Sequence, residues 1–309
     1  MRIYLSSWCL RGEILRGNLS LGDLPGFAVG HGFSGIEIMD RQIEASDPGY
    51  VEDLRKRCRA LGCGLILDIS SDLTHPRDKD WMDQIAHVKN ALDVARRIRA
   101  EKARICLGGQ SISLERIFKS FGFVSPNKPY KKDNCKSAVR PIQKLLASGF
   151  FTRLAKSYRK SKRYGVRDED LKIKRALQAI RTILPKAEEY KIPLAIENHW
   201  GISGLPENIL RIVDEIDSPY LGTCPDFENF PRGVDPYKGL QMLARRAILV
   251  HAKSLGFNAK GEETTIDYRR CLRILKESGY SGTITVEYEG GGDVVKGCLL
   301  TRELILRYW

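Results

Sequence analysis

Short apolar runs rich in β-branched residues alternate along the chain with longer stretches whose apolar residues recur at helical spacing. The runs predict strands at Arg2–Ser6, Gly35–Met39, Gly64–Ile69, Ala103–Leu107, Pro193–Glu197, Leu221–Cys224, Ala247–His251 and Gly282–Glu287. Between them, Ile85, Val88, Ala91, Leu92 and Ala95 mark one face of a helix over Trp81–Ala100, and Leu54, Cys58 and Leu61 do the same over Asp53–Leu61. Leu171–Tyr190, Pro206–Ile216, Ile266–Ser278 and Gly297–Tyr308 repeat the pattern. Pro206 opening its helix and Gly279 following Lys276 and Glu277 are fitting start and stop signals.

Eight strands alternating with helices require a fold of the α/β class, and the count is that of a (β/α)8 TIM barrel. The uninterrupted apolar character of the strands suits a parallel sheet buried on both faces. A doubly wound sheet is the rival, and Gly30, Gly32 and Gly35 form a G-x-G-x-x-G string. A dinucleotide fingerprint follows a strand and opens a helix, whereas this one follows a helix and leads into a strand. The glycines are therefore read as a turn, and residues 1–309 as a single barrel domain.

The alternation breaks once. About 60 residues separate the fourth strand from the helix that begins near Leu171, far more than a βα loop needs. Residues 112–170 are thus expected to be an insertion on the catalytic face, where βα loops of a barrel project. Charge changes the picture here. The chain carries a formal net charge of +13, yet Arg116–Arg167 alone holds 15 Lys and Arg against one acid, Asp133. The remainder is close to neutral. Aromatics interleaved with these bases (Phe118, Phe121, Phe123, Tyr130, Phe150, Phe151, Tyr158, Tyr164) leave open a nucleic-acid surface, a lid attracting anionic sugars, or a subunit contact.

Composition excludes other classes. With 42% hydrophobic and 29% charged residues the chain is neither disordered nor fibrous. No apolar stretch has the length of a membrane span, and Met1–Arg11 lacks the features of a secretory signal. The eight cysteines include no C-x-x-C pair, which argues against a cysteine zinc module and for reduced thiols in a cytoplasm.

The candidate chemistry lies at the ends of the last four strands. Glu197, Asp226, His251 and Glu287 are each the first ionisable group there, where barrel side chains converge on the active site. Three carboxylates and an imidazole suit one divalent ion, manganese foremost, with magnesium, cobalt or zinc as the other candidates. Around them, His199 and Lys253, each two residues beyond a candidate ligand, together with Trp8, His75 and Glu37, are candidates for contact with substrate. Asp68 is a further acid of this kind, although it and Glu37 equally could cap helices.

Ile196-Glu197-Asn198-His199, Pro225-Asp226-Phe227, His251-Ala252-Lys253 and the closing Gly279-Tyr280-Ser281-Gly282 with Val286-Glu287-Tyr288-Glu289-Gly290 resemble the xylose isomerase-like TIM barrels, the sugar phosphate isomerases and epimerases. The resemblance covers the chain apart from the basic insertion. It implies that Glu197, Asp226, His251 and Glu287 bind one metal, that the two glutamates also exchange protons with a sugar, and that the protein forms homo-oligomers. The expected reaction is isomerisation or epimerisation of a sugar or sugar derivative by proton abstraction next to a carbonyl, through an enediolate. Loss of a β-hydroxyl from the same enediolate, a dehydratase or lyase activity on a keto-sugar, is the alternative. The chain departs from the ketose 3-epimerases of this family: Asn229 and Phe257 stand where those enzymes have a sugar-holding histidine and arginine. Endonuclease IV shares the barrel, but its trinuclear zinc centre needs more imidazoles than the five His here, including motifs after strands six and seven that this chain lacks. A repair nuclease, or a nucleic-acid-binding protein using residues 112–170, is accordingly the less favoured reading.

Overall fold

The computed structural model describes residues 1–43, 47–108 and 168–309. Most of the expected 112–170 insertion lies outside the described residues; its last positions already belong to the helix Glu169–Tyr190. Eight parallel strands, β1 (Arg2–Ser6), β2 (Gly35–Met39), β3 (Gly64–Ile69), β4 (Lys102–Ile105), β5 (Leu194–Glu197), β6 (Leu221–Cys224), β7 (Leu249–Ser254) and β8 (Thr283–Tyr288), form one sheet in the order β6-β5-β4-β3-β2-β1-β8-β7. Parallel bridges Thr223↔Ala247 and Asp226↔His251 join its two ends. The result is a (β/α)8 barrel. No helix among the described residues is long and apolar enough to cross a membrane.

Alternation along each strand sorts the side chains. Ile36 and Ile38, Leu65 and Leu67, Ala103 and Ile105, Leu194 and Ile196, and Val250 and Ala252 face outward into the large apolar layer. There they meet helix residues such as Ile85, Val88 and Leu92 of Asp78–Ile98 and Ala176, Ile180 and Ile183 of Glu169–Tyr190. Inside the barrel a separate small cluster of Tyr4, Ile66, Ala195, Cys224 and Leu249 fills the middle. Two residues further along the same strands, the inward positions turn polar: Ser6, Asp68, Glu197, Asp226 and His251. The apolar plug thus floors a polar chamber at the C-terminal ends, the side where barrel loops gather.

Three differences from the expected elements matter. First, β7 begins at Leu249 and runs to Ser254, so Lys253 lies on the strand, paired in register with Glu287. Ala247 contributes only a bridge at its foot. Second, β4 begins at Lys102 and ends at Ile105. Third, the helix Pro236–Ala244 escapes the periodicity because it is short and carries Gly239. That glycine is required: a Cβ there would lie 2.4 Å from a Phe230 ring carbon. Local signals still mark its start, with Pro236 in the first turn and Asp235 accepting from the Tyr237 and Lys238 N–H groups.

Tyr4 closes the floor. Its hydroxyl donates to Glu101 at 2.8 Å, and its ring lies against Gly35 and Gly64. A Cβ on Gly64 would fall 1.7 Å from the Tyr4 hydroxyl oxygen. Gly64→Ala is expected to destabilise the fold by about 1–3 kcal/mol through overpacking. Urea unfolding checks this, and an unchanged midpoint would show that Tyr4 does not depend on that space.

Candidate metal centre

Glu197 ends β5, Asp226 follows β6, and His251 and Glu287 lie within β7 and β8. One ligand atom from each falls within 4.8 Å of the others, and all four residues are buried. The backbone fixes Asp226 tightly. Its N–H donates to Asn198 Oδ1 at 2.6 Å, and Asn198 Nδ2 returns a bond to its carbonyl at 3.1 Å. Asp226 Oδ1 accepts the N–H groups of Glu228 and Asn229, both at 2.8 Å. Oδ2 is buried without a hydrogen-bond partner, with the Lys253 ammonium 3.6 Å away. A buried carboxylate oxygen left so is costly. A hard cation among four such donors would satisfy it, so the residues fit a divalent ion.

His251 is oriented for the same purpose. Its Nε2 lies 3.0 and 3.1 Å from the two oxygens of Glu37, while Nδ1 lies 3.0 Å from Glu197 Oε1 and 3.6 Å from Glu287 Oε1. With Nε2–H held by Glu37, a divalent ion would take the place of the Nδ1 proton, the usual arrangement of a carboxylate behind a metal-binding histidine. Burial opposes a charged imidazole here, but Cys224, Glu37, Glu287 and Glu197 outweigh it and raise the His251 pKa. Burial pushes Asp226 up to about 7 against the pull of Lys253. Glu197 goes the other way: burial would raise it, but Arg104 and His251 hold it well below the usual carboxylate range.

The remaining candidates divide. Lys253, 2% exposed, reaches the centre, with Nζ 3.0 Å from Glu287 Oε2, 3.4 Å from Glu289 and 3.3 Å from Asn229 Oδ1. His199 Nε2 lies 3.9 Å from Glu197 Oε2, and its ring meets Trp200 edge-on at 4.0 Å. Burial lowers its pKa to about 3, so it is neutral. Trp8 donates its indole N–H to Glu289 at 2.7 Å, and the Arg11 guanidinium covers its ring at 4.1 Å. Glu37 does not face the mouth; it is 1% exposed, behind His251. Asp68 caps no helix but accepts from Arg104 at 2.6 Å. His75 is turned toward Asp80 at 3.5 Å and the Arg77 N–H, and neither of these belongs to the cluster. Sequence reasoning passed over Arg104 and offered Glu289 only as an ion-pair partner for Lys253. The available signal was position: Arg104 is a charge on the inward phase of an apolar strand, and Glu289 lies two residues past Glu287.

The two departures also find their places. Asn229 donates to Glu197 Oε1 at 3.3 Å and accepts from Lys253, standing between those two groups. Phe257 stacks on Tyr288 with ring centroids 6.0 Å apart.

Over residues 113–304 the chain matches the family described as xylose isomerase-like TIM barrel. It belongs to that family. Among curated proteins it is similar to 3-oxo-isoapionate decarboxylase of Pectobacterium atrosepticum, 32% identical over 98 residues, covering 31% of this chain and 35% of that one. It is also similar to the C-glycoside deglycosidase alpha subunit of Arthrobacter globiformis, 24% identical over 188 residues, covering 36% and 51%. These matches span only about a third to a half of either relative's length. Among solved structures, 3-keto-D-glucoside 4-epimerase of E. coli superposes with TM-score 0.65 at 12% identity, over 99% of both chains. A D-tagatose 3-epimerase-like protein superposes with TM-score 0.67 at 18% identity, over 100% of this chain and 98% of that one. At such identities the likeness is one of fold.

His251→Ala is expected to lower the divalent metal retained by the purified protein from about one equivalent per chain, as elemental analysis reads it. Unchanged stoichiometry would remove His251 from the ligand set. A second expectation concerns acid stability. An imidazole whose pKa falls from 6.5 to about 3 on folding leaves the unfolded chain holding more protons between those values. Stability is therefore lost as pH drops from 6.5 toward 3, and His199→Gln should lose less than the parent over that window in urea unfolding. Parallel pH curves would place His199 outside a desolvated site.

Proposed function

We propose that this protein is a divalent-metal-dependent sugar isomerase or epimerase that abstracts a proton next to a carbonyl. The observation that carries the reading is the buried convergence of Glu197, Asp226, His251 and Glu287, with Asp226 Oδ2 left for a cation. Manganese is the first candidate, since the donor set is three carboxylates and one imidazole. A divalent ion held there would polarise a carbonyl and its neighbouring hydroxyl, acidifying the hydrogen between them.

The chain's own groups divide the remaining work. Glu287 and Glu197 each direct one oxygen toward His251 Nδ1 and the other toward a cation, Lys253 for Glu287 and Arg104 for Glu197. The oxygens turned away from His251 are the ones that take and return the substrate proton. Lys253, fully inside the chamber, steadies the oxyanion that develops when the proton leaves. Trp8, held edge-on by Glu289, offers a fixed wall for a sugar ring.

A lyase acting on a keto-sugar is the second reading, favoured by the similarity to a decarboxylase and by Asn229 and Phe257 at positions that hold the ketose in free-ketose epimerases. Loss of carbon dioxide or of a β-hydroxyl passes through the same kind of enediolate. The repair-nuclease reading finds little support. His31, His75 and His87 face Phe27 O, Asp80 and Asp40 respectively, so among the described residues the candidate metal group holds a single imidazole, that of His251.

Exchange of substrate protons with D2O, followed by NMR across ketoses, 3-keto-glycosides and sugar acids in the presence of Mn²⁺, tests the proposal. Glu287→Gln is expected to reduce exchange by about 10²–10⁴-fold, the usual contribution of a positioned base. Retained exchange would remove Glu287 from the mechanism. Absence of bound metal in the parent protein, even after soaking, would sink the reading as a whole.

A further inference from the structure

One buried charge beside the cluster is neither a candidate ligand nor part of the outer core. Arg104 sits on β4 with only 7% of its surface exposed. Its neighbours Ala103 and Ile105 belong to the outer apolar layer, so alternation sends the guanidinium into the barrel. There it meets carboxylates from three different strands. Nη2 donates to Asp68 Oδ2 of β3 at 2.6 Å, Nη1 lies 3.3 Å from Glu197 Oε2 of β5, and Nε lies 4.0 Å from Glu37 Oε1 of β2. Nη1 also donates to Cys106 Sγ at 2.8 Å.

Two of these partners lead to the metal centre by separate routes. Glu197 is itself a candidate ligand, and attraction of its Oε2 toward Arg104 leaves Oε1 facing His251 Nδ1 and Asn229 Nδ2. Glu37 is the carboxylate that holds His251 Nε2 and so sets which ring nitrogen enters the cluster. Asp68 touches no candidate ligand; its bond anchors the guanidinium from the other side. A planar fork with permanent charge holds its partners in a fixed geometry, which a lysine's point charge does not reproduce.

We propose that Arg104 is a positioning residue of the metal centre, holding Glu197 directly at 3.3 Å and, by longer-range attraction across 4.0 Å, the Glu37 that orients His251. The inference rests on the reading of Glu197, Asp226, His251 and Glu287 as a metal site. A merely structural salt bridge would affect stability alone. A positioning role also affects how tightly an ion is held and in what geometry.

The test is Co²⁺ titration of the full-length protein, reading affinity and the visible absorption spectrum of the bound ion, with urea unfolding alongside. Arg104→Gln is expected to weaken Co²⁺ binding by about 10- to 100-fold and to shift the spectrum, the usual consequence of losing a partner behind the ligands. Arg104→Lys, which keeps the charge and loses the fork, should recover part of the affinity. Asp68→Asn, which loosens Arg104 without altering a ligand, should weaken binding in the same direction by less. Should Arg104→Gln fail to fold, Arg104→Lys and Asp68→Asn decide on the same readouts. Folded variants with the parent's Co²⁺ affinity and spectrum would overturn the role of Arg104 while leaving the metal site standing. A parent protein that binds no Co²⁺ would overturn both.

Discussion

Glu37, Asp68, Glu197, Asp226 and Glu287 are buried together at the C-terminal end of one barrel, each at most 4% exposed. Like charges so close repel strongly out of water, and removing each from solvent is expensive. Arg104 and Lys253 are the protein's answer. One guanidinium faces Asp68, Glu37 and Glu197; one ammonium faces Asp226, Glu287 and Glu289. His251 joins the two groups by touching Glu37, Glu197 and Glu287. Among the four candidate ligands the arrangement leaves Asp226 Oδ2 without a hydrogen-bond partner, and with it room for one more positive charge.

The barrel makes this concentration affordable in steric terms. Parallel strands deliver their inward residues in layers, so a side chain two positions along each strand rises to the next layer. Tyr4, Ile66, Ala195, Cys224 and Leu249 fill the layer below and seal it with apolar contact. The charged layer can then open only upward, toward the loops. Cations and acids from non-neighbouring parts of the chain become neighbours without any local motif bringing them there.

The same geometry bears on the chemistry. Glu197 and Glu287 are alike in turning one oxygen toward His251, and unlike in what meets the other. Arg104 is a fixed cation that cannot give up a proton at ordinary pH, whereas Lys253 is a compact ammonium on a flexible stem. The two sides of the proposed reaction centre are therefore electrostatically distinct. Asn229 lies between them, in contact with Glu197 and Lys253.

Much of this was readable along the chain. β1, β2, β3 and β6 occupy the residues that their apolar runs mark, and the ionisable groups closing strands five to eight are those that cluster. Both follow from local rules: a strand alternates with period two, and a barrel collects strand ends on one face. Short elements were less legible, as with Pro236–Ala244, where Gly239 answers to the Phe230 ring rather than to helix propensity. Partnerships were not legible at all. Glu37 reads as a cap or a sugar contact until folding sets it against His251, 214 positions away in sequence. Arg104 reads as a stray charge in an apolar strand until three carboxylates surround it. Strand phase and strand end are properties of neighbouring residues and survive in the linear order; which charge compensates which depends on closure of the sheet, and that brings together atoms whose spacing along the chain carries no trace of it.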